Sequence, residues 1–154
     1  MVNSTSILYS KSAAARLMGV AVDSIKGFAV WAKVAWVWVK GSRPKFMSLK
    51  AFKQHFVDHR KEAAKDLIPQ YSSMINAYMV KNPRKDSQYI CTPTERKDLA
   101  GNWHFGIECA CDDYKNQISF FGHGACKHGY AVLSVLGFDS LRDWTKAQEA
   151  KHAQ

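Results

Sequence analysis

CACDDYKNQISFFGHGACKHGYAVLSVLGF, from Cys109 to Phe138, is the stretch on which the fold of this chain turns. It carries two pairs of metal-binding residue types, each pair split by one residue: Cys109 with Cys111 and, after fourteen intervening residues, Cys126 with His128. In an extended chain successive side chains alternate, so residues two apart point the same way and both sulfurs of the first pair reach one ion. In mid-helix, residues two apart diverge by about 200°, which places the second pair in the first turn of a helix predicted over Lys127–Leu136 and not in its body. Three sulfurs and one imidazole suit tetrahedral Zn2+ at about 2.3 Å from sulfur and about 2.0–2.1 Å from nitrogen. Four protein donors leave no position for water or substrate, which predicts one structural zinc ion and not a catalytic one. Three thiolates on Zn2+ leave a single negative charge, and Lys115 and Lys127 lie near enough in sequence to offset it.

Immediately upstream, the chain reads as a strand over Gln88–Thr92, a polar turn to Gly101-Asn102 and a returning strand over Trp103–Glu108. Cys91 reads as a packed strand thiol, His104 as a surface residue, and His123 lacks a partner at the repeated spacing. A catalytic Cys-His pair is disfavoured because a metal consumes the thiolates. The pattern C-x-C-x14-C-x-H, with its Cys-Lys-His triplet before an apolar helix and its aromatic strand ahead of Cys109, resembles the SWIM zinc finger over about residues 86–138. The resemblance implies a β-β-α module of the kind found in bacterial Swi/Snf-type ATPases, mutator-type transposases and recombination accessory proteins. Such modules are credited with nucleic-acid binding and with protein contacts, and the resemblance names no reaction.

Further outward, Pro69 starts or kinks a helix, which predicts a helical connector over residues 67–85 with its helix at Gln70–Lys81, ended by Asn82-Pro83. Tyr71, Ile75, Tyr78 and Met79 recur near helical spacing there, so this face either covers a neighbouring core or forms a homodimer seam. In residues 1–66, the run from Ser12 to Met18 favours a helix that Gly19 ends, and Asp23 caps a second predicted helix, Asp23–Lys33, with Ile25, Phe28, Ala29 and Ala32 on one side. Ala35–Val39 and Lys45–Met47 read as a hairpin with the basic turn KGSRP, and Ser48 caps a helix from Leu49 bearing Phe52 and Phe56.

That order, carried by AAARLMGVAVDSIKGF, AWVWVKGSRPKF and SLKAFKQHF, resembles a small winged helix-turn-helix of the excisionase or MerR-like class over Ser10–Phe56. The resemblance implies that the second helix enters the major groove with Ser24, Lys26 and Gly27 near bases, while Lys40, Ser42, Arg43 and Lys45 in the wing meet phosphates, joined by Lys33. The second helix has few of the Arg, Asn or Gln side chains that read base edges, so contacts to phosphate dominate the expectation. Trp31, Trp36 and Trp38 read either as hairpin core or as rings on which single-stranded bases stack.

Composition sets the bounds. An apolar fraction of 47% with 23% charged residues describes a folding chain. The longest apolar stretch, Gly27–Val39, is broken by Lys33 and is too short to span a bilayer, and Met1–Ser12 has no secretory pattern. A cytoplasmic, nucleoid-associated chain with no membrane partner is expected, in which four cysteines are thiols or metal ligands and not disulfides. Residues 1–66 hold 12 Lys and Arg against 4 Asp and Glu, whereas residues 67–154 hold 10 against 9. A basic half points to a polyanion, nucleic acid being the commonest; the plainer alternative is that excess lysine serves solubility. The absence of a phosphate-binding glycine loop, a nucleophile elbow and well-placed paired carboxylates argues against an enzyme.

The expectation is an α+β chain: a winged helix-turn-helix-like module (1–66), a helical connector (67–85) and a zinc module with a C-terminal helix (86–154). Its function reads as binding double-stranded DNA in transcription regulation, or as an accessory factor in recombination or in plasmid or phage replication. The alternative is an adaptor that docks on a recombinase or ATPase through the zinc module, and RNA binding comes third.

Overall fold

Two apolar clusters organise the chain, one in each of two compact units, Met1–His59 and Arg60–Gln154. The computed structural model describes residues 7–153; the first six residues of the stretch read for a secretory signal lie outside them. The architecture is mixed α and β, with two antiparallel sheets. No helix among the described residues is long and apolar enough to cross a membrane.

In the first unit, α1 (Lys11–Met18) starts at an extended Ser10, whose Oγ accepts a hydrogen bond from the Ala13 amide at 3.1 Å. It ends at Gly19, at φ 69°, a left-handed conformation that costs a glycine little. A 3-10 turn, Val22–Ser24, leads into β1 (Ile25–Val30), β2 (Val34–Val39) and β3 (Lys45–Ser48), an antiparallel sheet in that order. The predicted β2–β3 hairpin is present, and the Ser48 Oγ accepts from the Lys50 amide where α2 (Leu49–Ala64) begins. Ala13, Ala14 and Ala15 of α1, Ile25, Ala35 and Val37 of the sheet and Phe52 of α2 are buried together.

The second helix read over Asp23–Lys33 is not formed. Ile25–Val30 is a strand paired with β2, Phe28 opposite Val37 and Ala29 opposite Trp36. A short apolar run satisfies both a helical and a strand period, and here pairing with the aromatic β2 decides. Gly27 adds to this: the Trp36 ring occupies the space where a side chain would stand, and a Cβ would lie 2.5 Å from a ring carbon. With a strand in that place, no groove-reading helix carries Ser24, Lys26 and Gly27.

In the second unit, β4 (Ile68–Ser72), β5 (Ala77–Asn82), β6 (Ser87–Lys97) and β7 (Trp103–Cys109) form an antiparallel sheet in sequence order. The helical connector over residues 67–85 is thereby corrected to a hairpin, Tyr71 opposite Tyr78, with Asn76 at φ 49° in its turn. Pro69 fits because β4 is an edge strand. The helical spacing on which a dimer seam was read is absent. Three helices follow: α3 (Asp112–Phe121), α4 (Lys127–Val135) and α5 (Leu141–His152). Val80, Ile107, Val132, Leu133 and Trp144 pack with Cys91, Cys109, Cys111 and Cys126 in one core. The division between the units falls within α2, seven residues before the boundary expected at residue 66.

Candidate metal centre

Cys109 closes β7 and Cys111 is the extended residue that caps α3, so the first pair leaves the sheet as the chain turns into a helix. Cys126 caps α4 in the same way, at φ −85° and ψ 175°, and His128 is the second residue of that helix. The extended cap lets side chains two apart converge, as the spacing required. Both capping sulfurs accept amide hydrogen bonds, Cys111 from Tyr114 and Cys126 from Gly129, each at 3.4 Å. A helix N-terminus and an amide donor both favour a negative sulfur.

The four side chains meet. All are buried, and one donor atom from each lies within 4.8 Å of every other. His128 presents Nδ1, at 3.7 Å from the sulfurs of both Cys109 and Cys126. A tetrahedral ion at about 2.3 Å from sulfur and about 2.0–2.1 Å from nitrogen separates a sulfur and a nitrogen donor by about 3.6 Å, so His128 stands from Cys109 and Cys126 at the spacing an ion requires. The Tyr89 ring packs on the imidazole at a centroid distance of 4.7 Å, tilted by 44°.

The electrostatics point the same way. Hydrogen bonds with Cys111 and then Cys126 and Cys91 hold the Cys109 thiol far below its ordinary range. The hydrogen bond to Cys109 pushes Cys91, Cys111 and Cys126 up, with burial adding to the shift. More than one thiolate in this buried space needs a cation beside it. Cys91 is fully buried on β6 opposite Cys109, the packed strand thiol expected, and stands outside the four-residue cluster. His123 is exposed and also outside it, and His104 is a surface residue paired with Asp98 at 2.8 Å.

The sequence reading missed what holds the loop before Cys126. Arg60 makes a two-point ion pair with Asp113, at 2.9 and 2.7 Å. Asp113 accepts from the Gln117 amide at 3.2 Å, and that amide also donates to the Ala125 carbonyl at 3.1 Å. Gln117 is 98% buried, and Gly124 passes so close that a Cβ there would stand 2.8 Å from the Gln117 Cβ. Asp113 and Gln117 at helical spacing were visible in the sequence; nothing local marked Arg60 as the partner of Asp113.

The residues expected to meet DNA are in the first unit. Lys40, Ser42 and Arg43 lie in the β2–β3 loop, with Lys45 opening β3; all four are exposed. Lys26 on β1 shares that end of the sheet, because Ile25 pairs with Val39, whereas Lys33 lies in the connection at the opposite end. Ser24 is half-buried and its hydroxyl donates to the Ala21 carbonyl at 2.6 Å. The structure thus brings together the loop cations with Lys26 and sets Lys33 apart.

The chain matches no family model, no curated protein and no solved structure.

Proposed function

We propose that this chain is a zinc-containing, non-enzymatic DNA-binding protein, in which one structural Zn2+ on Cys109, Cys111, Cys126 and His128 stabilises the second unit and the basic first unit meets DNA phosphates. Zinc is the ion of choice because three thiolates and one imidazole in a closed tetrahedral set match its ligand chemistry and leave no open position for reaction. The SWIM resemblance supports that reading at the ligands. The likeness to a winged helix-turn-helix now rests on α1, the hairpin and α2, without a second helix, which favours phosphate contact over base reading. Transcription regulation, or an accessory role in recombination or in plasmid or phage replication, is the setting this chemistry suits.

The observation that carries the DNA reading is the charge of residues 24–57: seven Lys and Arg and no Asp or Glu. Among the described residues none of these seven takes part in an ion pair. If about four phosphates are neutralised, the affinity of the full-length protein for duplex DNA falls with a log–log salt slope of about −3.6, and each of Lys40→Ala, Arg43→Ala and Lys45→Ala flattens it by about one. Elemental analysis accompanies this measurement: one zinc per chain in the wild type, none with Cys126→Ser and His128→Ala combined, and full zinc in the three lysine and arginine variants. Salt-independent or absent duplex binding refutes the DNA reading. The adaptor reading would then take its place, favoured by Ile68 and Ile90, exposed on the strands of the zinc-bearing unit.

A further inference from the structure

The first unit's sheet has one face against its helices and one face that is not. Strand alternation puts Ala35 and Val37 of β2 inward, both fully buried, and Trp36 and Trp38 outward. Register carries the outward face across the sheet: Ala29 stands beside Trp36, Phe46 on its other side, and Gly27 beside Trp38. Trp31, from the β1–β2 connection, reaches the same face, its ring 5.2 Å from that of Phe46. The two residues contributed by β1 are small, so the Trp36 ring lies over Gly27. The Trp38 ring is held by a hydrogen bond from Nε1 to the Ser42 carbonyl at 3.2 Å. Trp31, Trp38 and Phe46 are 52%, 43% and 60% exposed.

Large flat rings left in water next to cations call for a ligand that has both flat rings and negative charge. Lys33 lies at one end of this aromatic face, and Lys26, Lys40 and Arg43 at the other, all exposed. A protein segment covering the rings would have to bring a carboxylate for each of these cations. A single nucleic-acid strand brings an unpaired base and a phosphate with every nucleotide. A duplex brings the phosphates alone, because its base faces are stacked on one another.

We propose that this outer sheet face binds single-stranded DNA, with bases stacked on Trp31, Trp36, Trp38 and Phe46 and the backbone tracked by the cations at the two ends of the strands. The inference rests on the DNA-binding reading and adds its substrate class: strands opened, or not yet paired, during replication or recombination. Selectivity for base identity is low, since every base presents a π-face.

The test uses the full-length, zinc-loaded protein with a DNA oligonucleotide, its duplex and an RNA strand of the same sequence. Trp31→Ala and Phe46→Ala weaken single-strand binding by about 5- to 150-fold each, the range that loss of one stacked base spans, while duplex affinity and its salt slope stay as in the wild type. Trp31→Phe recovers most of the loss, and unchanged zinc content and melting temperature show that the fold is intact. The proposal is overturned if the Ala variants bind the single strand like the wild type, if duplex binding falls in parallel, or if the RNA strand binds more tightly than the DNA strand. Those three results leave the phosphate-led DNA reading standing; a wild-type protein that binds no nucleic acid refutes both.

Discussion

The two units solve the problem of a small core differently. The first closes on Phe52, Ile25, Ala35, Val37 and three alanines, with apolar contact alone. The second places three cysteines and a histidine inside its core, beside Val80, Ile107, Val132 and Leu133, so its interior is part hydrocarbon and part a cluster able to hold an ion. Charge divides along the same line. Residues 1–59 hold nine Lys and Arg against two Asp, while residues 60–154 hold 13 against 11 Asp and Glu. The unit that holds the Cys/His cluster is near neutral in charge, and the unit closed by packing carries the excess cations. The proposed metal and DNA roles are therefore separable by experiment.

The largest expected effect is on the second unit. Removing the ion with a chelator, or with Cys126→Ser, takes away a contribution that in zinc-finger peptides reaches ~10–16 kcal/mol. Serine keeps an oxygen at the helix cap, so the variant isolates the loss of the ligand from the loss of the cap. Hydrogen exchange is expected to show loss of protection over β4–β7 and α3–α5 with residues 11–59 unchanged; joint unfolding of both units would end the comparison. Acid acts in the same sense, because thiolates must be deprotonated to bind, so zinc is released as pH falls.

Phe52→Ala is the converse. It empties a fully buried site and is expected to lower the stability of the first unit by about 3–5 kcal/mol with zinc content unchanged, as read by thermal melts beside elemental analysis.

A smaller effect is expected at Gln117. Gln117→Leu leaves the Ala125 carbonyl without its donor and the Asp113 carboxylate with one fewer, which costs about 1–3 kcal/mol. Since the loop it holds delivers Cys126, competition with a chromogenic chelator is expected to show zinc affinity reduced by about tenfold, on the scale of other outer-sphere changes. Unchanged affinity would show that the loop is positioned by the ligands alone.

The smallest effect lies at the surface of the second unit. The Asp98 carboxyl is pulled down from 3.8 to about 2, first by its hydrogen bond with His104 and then by the Asn102 amide. A depressed carboxylate stabilises the fold above about 3.8, and the contribution disappears as pH falls through about 2. NMR titration of His104→Ala is expected to return Asp98 toward its ordinary value with no change at the metal ligands.

How much of this was legible in the chain depends on whether the signal was local. Cys109, Cys111, Cys126 and His128 were readable because the chemistry is carried by rare residue types, and a one-residue gap constrains geometry wherever the chain is extended or enters a helix. The β2–β3 hairpin, β6, β7, α1, the start of α2 and α4 were readable too, since propensity, turn residues and caps agree in each. Ile25–Val30 and the stretch from Ile68 to Asn82 were not. Both are short apolar runs whose spacing fits a helix or a strand about equally, and a strand becomes favourable only when its backbone finds a neighbour. For the first that neighbour is the Trp-rich β2, and for the second it is β6, which β5 joins with Tyr78 opposite Cys91.

By itself, then, the sequence determined which four side chains are able to share an ion, where the helix entered at Cys126 and His128 begins, and that positive charge is gathered in the first unit. Only the tertiary structure decided that two presumed helices are strands, that Arg60 reaches Asp113, which with Gln117 holds the loop before Cys126, and that Trp31, Trp36, Trp38 and Phe46 share one outward face. The physical reason is that coordination chemistry and helix caps are properties of a few adjacent residues. Sheet pairing, buried ion pairs and the choice of which sheet face meets water depend on segments that are distant in sequence.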